Sequence, residues 1–509
     1  MSKFNICRLL TVLFLLAITQ SSKSQTAFNL AMPTDGAGTS GAETGRALCA
    51  DAAGNVYTMG TFNGATDFDL SPSVVNTYGS SISNDGYIVS YDKNGVFRWK
   101  TILASTGNDF GQPGLGIATD GTSVWFVGHV NTASSPVIVT SAASTAITIT
   151  AGGGGSSDII LGKLNCSDGI QQWLRVFGGA GSNDLGEALA LNPATGDTYI
   201  VGAYSSSFTY GLVNFAAPAG TSDLFVAKFD AAGDIQWATT GGGAGADMIS
   251  NGAGIAYAPL TTPVIVVGAS TSGAGSFAGF PLAGAGGHDM LVLELDAATG
   301  GVSNAISTGT ATTDEFMAAV YEPVSKDVIV GGYFGNTSGG SISLPGFAAF
   351  NFTSAGAADI VVGRYSITNN YFGWAKQAGG TAADRLYAMV ADGLGGVHLT
   401  GLSQSNPCNF SSGFSVNAGT GGDDLIVAKY DYNGNTLYAL TAGSTTSGAD
   451  AGRGIGFYNQ ASPAAKWVYL SGNFQNTITF GAQPSLTADG GNDFFLVRLN
   501  DATTYFLFG

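Results

Sequence analysis

The chain has 509 residues, 18 of them Lys or Arg and 35 Asp or Glu, for a formal net charge of −17 with neutral histidines. So acidic a field disfavours nucleic acid and anionic membranes as partners. Four cysteines without a C-x-x-C pair exclude a zinc ribbon and a disulfide-stapled scaffold.

In chain order, residues 1–24 carry Lys3 and Arg8 ahead of an apolar run from Leu9 to Ile18, then small residues Ser22 and Ser24 before Gln25. That is the layout of a secretory signal peptide cut after Ser24, because the run is too short to span a bilayer. Its removal takes Lys3, Arg8 and Lys23 but no acid, which deepens the charge from −17 to −20. No later stretch holds 18 uninterrupted apolar residues, so the sequence predicts no transmembrane segment and a mature protein outside the cytoplasm. Cys49, Cys166 and Cys408 remain, enough for at most one disulfide.

From residue 25 the apolar residues fall in short runs bounded by Gly, Asp and Asn, with no 3.6-residue period, so the class is all-β. TAFNLAMP reads as a strand, with a loop to residue 45. Seven units follow, at approximately 46–109, 110–184, 185–247, 248–314, 315–384, 385–450 and 451–509. In each, one strand runs to a glycine: VYTMG to Gly60, WFVG to Gly128, YIVG to Gly202, VIVVG to Gly268, VIVGG to Gly332, VHLTG to Gly401 and VYLSG to Gly472. The next strand opens on an aspartate, at Asp85, Asp158, Asp223, Asp289, Asp359, Asp424 and Asp493. Fourteen or fifteen residues on stand Trp99, Trp173, Trp237, Asn304, Trp374 and Tyr438. Ten to twelve beyond these come Asp109, Asp184, Asp247, Asp314, Asp384 and Asp450, with Glu43 standing ahead of the first unit. TTYFLFG at the C-terminus reads as a last, weak strand.

Every unit thus carries four strands. Such a unit cannot bury both faces alone, and a radial array packs each sheet on its neighbours while leaving only short edges. The sequence therefore predicts a single seven-bladed β-propeller of four-stranded blades over 25–509, closed by terminal strands; a linear solenoid suits the period less well.

The phrase D-[LI]-[FIV]-V-A-K-[YF]-D-x-x-G-[ND]-x-x-W, followed by G-G-x-G-x-D and a V-x-V-x-G strand, resembles the SBBP-type β-propeller repeat of secreted bacterial proteins. The likeness covers roughly 26–509, strongest around Asp223 and Asp424 and weakest around Asp289, where Asn304 replaces the aromatic. It implies the propeller fold and an extracellular, cell-surface or periplasmic setting. It carries no catalytic residue set.

The recurring phrase has local physical reasons. In FDAAGDIQW, the Asp230 carboxylate can accept turn N–H groups while Gly233 takes a positive φ, giving a tight hairpin between the third and fourth strands. YDKNG at 91–95 and YDYNG at 430–434 repeat this logic. The Trp column then offers a plate for the adjacent blade. The fifth residue after the third-strand aspartate is basic at Lys163, Lys228, Arg364, Lys429 and Arg498, a register suited to ion pairing or stem packing within each blade.

Because chain direction alternates, both aspartate columns populate one face of the ring. Their carboxylates can cap loop N–H groups in the Gly-rich connections. As a ligand-binding surface, the candidates are Asp85, Asp158, Asp223, Asp289, Asp359, Asp424 and Asp493. Irregular calcium sites near Asp109, Asp184, Asp247, Asp314, Asp384 and Asp450 are the alternative, since Ca²⁺ takes carboxylate and carbonyl oxygens, although no D-x-D-x-D-G loop is present. No other cofactor is predicted. His129, His288 and His398 lie in different units, and neither G-x-S-x-G nor H-E-x-x-H occurs, so no catalytic residue is assigned. Inserts between the second and third strands differ in every unit and are rich in Ser, Thr, Asn, Phe and Tyr. Diverse loops on a rigid frame suit binding, adhesion or scaffolding toward an extracellular protein or polysaccharide. A polysaccharide-active hydrolase or lyase with its site in the central funnel is the alternative.

Overall fold

The computed structural model describes residues 27–33, 42–69, 77–79, 83–105, 107–110, 115–131, 137–141, 147–149, 157–180, 183–216, 218–247, 253–282, 284–337, 339–418, 422–444, 448–461, 464–488 and 491–501. The signal-peptide segment 1–24 and TTYFLFG lie outside the described residues. Blade one is Glu43–Ala50, Val56–Phe62, Asp85–Tyr91 and Phe97–Ala104, hydrogen-bonded in that order. Blades two to six repeat the pattern, beginning at Gly116–Thr119, Leu185–Leu191, Gly254–Ala258, Glu315–Glu322 and Asp384–Ala391. Blade seven is Ala451–Gln460, Ala465–Phe474 and Asp493–Asn500, and its outermost strand is Ala27–Pro33 from the other end of the chain. Ala27 stands opposite Asn500 and Pro33 opposite Phe495. The protein is a seven-bladed β-propeller, and the N-terminal strand completes its last sheet. Each blade's first strand faces the axis, where the first strands touch one another around the ring.

Apolar side chains fill the seams between blades. Between blades three and four, Tyr199, Val201, Leu224 and Val226 meet Ile255, Ile265, Val267, Leu291 and Leu293. On the face of the third-to-fourth-strand turns, three seams are pinned by hydrogen bonds from the Trp column. Trp99 Nε1 donates to the Cys166 carbonyl (2.8 Å), Trp173 Nε1 to Ala231 (3.1 Å) and Trp374 Nε1 to Tyr432 (3.0 Å), each acceptor being on or beside the next blade's turn. The turn glycine lies against that indole: a Cβ on Gly233 (φ 81°) would meet the Trp173 ring at 2.9 Å. Asp230 Oδ1 accepts from the N–H of Ala232 and Asp234, so the turn closes as its sequence requires. Asn304, where the aromatic is missing, still reaches the next blade by donating to the Tyr365 hydroxyl (2.9 Å).

The second glycine column corrects an expectation. Gly60, Gly128, Gly202, Gly268, Gly332, Gly401 and Gly472 do not end the second strands; Val56–Phe62, for example, continues two residues past Gly60. In five blades they sit opposite a bulge in the first strand, at Gly45/Ala47, Gly186/Ala188, Phe316/Ala318, Leu386/Ala388 and Gly452/Gly454. There the first strand presses a carbonyl where a Cβ would stand: Thr44 against Gly60, Leu185 against Gly202, Glu315 against Gly332, Arg385 against Gly401 and Ala451 against Gly472. The glycines make room for the bulge, and the bulge presents an extra side chain at the axis.

The inserts are also regular. Each forms a β-hairpin: Ala65–Asp67 with Thr77–Gly79, Val137–Ser141 with Ile147–Ile149, Phe208–Tyr210 with Val213–Phe215, Gly275–Phe277 with Phe280–Leu282, Ser341–Leu344 with Phe350–Thr353, Cys408–Ser411 with Phe414–Val416, and Thr477–Ile478 with Leu486–Thr487. They begin on the aspartate face but fold down the outer flank. Val137–Ser141 pairs with the outer strand of blade one, and Gly275–Phe277 with that of blade three. Buried residues such as Phe215, Phe277, Leu344, Cys408 and Ile478 anchor them. Outer strands that would offer unpaired edges are thereby covered.

Candidate functional site

The aspartate face carries buried, partnered carboxylates. Asp247 Oδ2 accepts from the N–H of Gly243 (2.8 Å), at the end of blade three, and Oδ1 from that of Ser272 (2.6 Å) in blade four. Asp184 joins Gly179 and Ser205 in the same way, Asp450 joins Ser444 and Gln475, Asp314 joins Thr310 and Gly335, Asp384 takes Gly380 with the hydroxyls of Ser403 and Ser405, and Asp109 takes Asn131. The third-strand column lies beside them. Asp223 accepts from Ala219 N–H, Asp289 from Ala285 and Asp359 from Ala355, each four residues back. Asp85, Asp158, Asp424 and Asp493 are buried likewise. G-G-x-G-x-D acquires its meaning here: a Cβ on Gly242 would strike both Asp247 and Asp223. Burial, with the neighbouring aspartate adding to it, pushes Asp109 and Asp247 up to about 7 and Asp184 and Asp450 up to about 6. Asp109, Asp184, Asp247, Asp314, Asp384 and Asp450 thus cap loop groups at the seams, and all thirteen aspartates are buried.

The basic register resolves blade by blade. Lys228 pairs with Asp197 (2.9 Å), Arg364 with Asp327 (3.5 Å), Lys163 lies over Trp125 and Arg498 over Trp467. Lys429, fully buried, bridges Asp392 (3.0 Å) and Asp501 (2.5 Å). With His398 these acids form the one trio of metal-capable side chains found among the described residues. The ammonium already sits between the carboxylates, and His398 Nδ1 faces the Tyr438 hydroxyl at 2.8 Å, so the donor set fits a lysine better than a cation. Burial, then Lys429, pushes His398 well below the usual imidazole range. His129 is buried and pushed down to about 3, while His288 is held up by Glu315, 3.2 Å away. The three histidines do not converge.

The sevenfold pattern breaks at the axis. A cavity of about 170 Å³ is lined by all seven first strands. Its polar rim is supplied at the bulges: Arg46, Glu187, Met317, Tyr387 and Arg453 occupy the same bulge position in blades one, three, five, six and seven. Leu115 and Ala253 line the cavity from blades two and four, and Leu48, Leu189 and Ile455 add apolar patches to a mainly polar wall. Arg453 lies with its guanidinium 4.6 Å from the Tyr387 ring and donates Nε to Asn473 (3.1 Å). Glu187 is 4% exposed, and among the described residues neither its Oε2 nor Arg46 Nε has a hydrogen-bond partner. Burial lowers Arg46 to about 10, with Arg453 adding repulsion, and raises Glu187 to about 8, with Glu315 adding to it. The rim thus holds two guanidiniums beside a Glu187 whose protonated form is favoured by burial.

This cluster escaped the sequence reading because it lies in no motif. The available signal was the third residue after Glu43, Asp184, Asp314, Asp384 and Asp450, which reads Arg, Glu, Met, Tyr, Arg where the neighbouring positions repeat.

No family model and no curated protein matches the chain. Among solved structures it is similar to a europium-containing methanol dehydrogenase (TM-score 0.45, 10% identity, 93% of each chain covered). It is also similar to quinohemoprotein alcohol dehydrogenases of Pseudomonas putida HK5 (0.40, 9%, 94% and 77%) and Comamonas testosteroni (0.39, 9%, 93% and 76%).

Proposed function

We propose that the protein is an extracytoplasmic binding or scaffold module of the SBBP-repeat type that engages a polysaccharide or protein through its insert hairpins. The carrying observation is the contrast between the hairpins' two sides. Inward they bury apolar residues against the blades; outward they differ from blade to blade and are almost uncharged. In a chain with 35 acids, the inserts hold only Asp67, Asp69, Asp423 and Asp489 and no base. Their outer faces carry cross-strand hydroxyl pairs, Ser341 with Thr353, Thr477 with Thr487 and Thr479 with Ser485. Leu212 and Phe347 stand fully exposed at two hairpin turns. Hydroxyls interleaved with apolar side chains suit neutral sugars and protein surfaces. The hairpins' path moves the binding surface from the aspartate face to the flank.

The test is retention of the purified protein on a panel of neutral polysaccharides, with and without Ca²⁺, with mass spectrometry of the supernatant. Retention without products, weakened in Leu212→Ser and Phe347→Ser, is the expected result. Shortened products would overturn it in favour of a hydrolase or lyase.

A further inference from the structure

We propose that the central channel binds a small organic carboxylate, clasped by Arg46 and Arg453 and bounded by Tyr387 and Glu187. Two guanidiniums on adjacent first strands face one cavity, and among the described residues neither forms an ion pair. Both arginines are half-buried, and a guanidinium partly withdrawn from water ordinarily meets a carboxylate, because its charge is costly to leave unpaired. Burial favours the protonated form of the one nearby acid, Glu187, so two guanidiniums face at most one carboxylate across the cavity. Among the described residues Glu187 Oε2 and Arg46 Nε are buried atoms with no hydrogen-bond partner, and both belong to side chains that line the cavity. The guanidinium fork matches a carboxylate in two parallel bonds, and a protonated Glu187 can donate to a further oxygen on the same molecule. The wall is more polar than apolar, and the small patches left by Leu48, Leu189 and Ile455 give the short carbon body of an organic acid a surface that inorganic phosphate or sulfate cannot use. The cavity volume, about 170 Å³, suits a single small acid.

The site is independent of the flank hairpins, so it stands or falls separately from the polysaccharide reading. Titration calorimetry of the purified chain in a buffer free of carboxylate and phosphate, with glutarate and glucuronate as probes and glucose and inorganic phosphate as controls, tests it. At least one of the two acids binds saturably and glucose does not. In Arg46→Met and in Arg453→Met the dissociation constant rises about tenfold or more, the loss of one charge-assisted pair. Glu187→Gln stays within about threefold, because an amide donates where the protonated acid did. If Arg46→Met fails to fold, Arg46→Lys replaces it and gives a smaller loss, keeping the charge without the fork. Absence of saturable binding by both acids, binding unchanged in the arginine variants, or binding of phosphate alone overturns the proposal. Retention on polysaccharide should be the same in all these variants.

Discussion

Two sets of polar groups in this ring repeat differently. At the seams, Asp247 receives an N–H on each oxygen from two different blades, and Asp184, Asp314 and Asp450 do the same at theirs. At the axis, buried Glu187 and half-buried Arg46 each keep a polar atom with no hydrogen-bond partner among the described residues, as single seam oxygens of Asp289 and Asp359 also do. The seam bonds recur in blade after blade and read as architecture, whereas the side chains at the axis change from blade to blade and carry charge that no repeated partner answers. The same backbone unit builds both. The glycine that makes room for the first-strand bulge is repeated in five blades, while the side chain the bulge turns inward differs among them.

The contrast can be broken hardest at Lys429. Lys429→Met leaves Asp392 and Asp501 buried without their ammonium, and a loss of about 3–5 kcal/mol is expected, read as a fall in the thermal midpoint. Adding Asp392→Asn and Asp501→Asn should recover much of it, since the cost lies in uncompensated charge. Next in size, Asp247→Ala strands the N–H groups of Gly243 and Ser272 and should cost about 2–4 kcal/mol; Asp247→Asn, which can still accept, should cost less. Gly233→Ala follows at about 1–2 kcal/mol, because φ is 81° and the added carbon meets Trp173. Urea midpoints for Asp247→Ala and Asp247→Asn that coincide would remove the capping role.

The seam carboxylates also set a pH dependence. Asp109 and Asp247 at about 7, and Asp184 and Asp450 at about 6, lie above the ordinary carboxylate value of 3.8. The folded protein therefore holds protons that the unfolded chain has released, and stability rises as pH falls toward and below 7. Glu187, raised to about 8, acts in the same direction. His129 and His398, lowered by burial, act against it once the pH is below their ordinary value of 6.5. The rise should thus be cleanest between about pH 8 and 6.5, and it should flatten in Asp109→Asn/Asp247→Asn; a thermal midpoint that increases with pH across that interval would contradict the assignment.

How far the sequence carried each region follows from what repeats. Seven copies of a phrase fix seven blades, and both the Trp99 column and the G-G-x-G-x-D motif name groups whose contacts recur at successive seams. The path of the inserts was not legible, because their inward residues, Phe215 or Ile478, are single apolar positions inside divergent stretches. Nor was the Asp392, His398, Lys429 and Asp501 cluster, whose members come from separate strands and an end of the chain. The rim at the axis depends on a bulge, and a bulge shifts register by one residue without any residue type that announces it.

The smallest effect sharpens the comparison most. Arg46→Met removes a charge that no described side chain pairs, at constant bulk, so in the absence of ligand it should leave stability within about 1 kcal/mol of the parent or raise it. A seam residue of equal burial cannot behave in this way, since its removal strands donors that the fold itself supplies. If Arg46→Met instead lowers the thermal midpoint as much as Asp247→Ala, the axis is held together by its polar rim, and the distinction between the two regions disappears. If it is neutral, the arginine is retained at the bulge for a reason the empty ring does not contain.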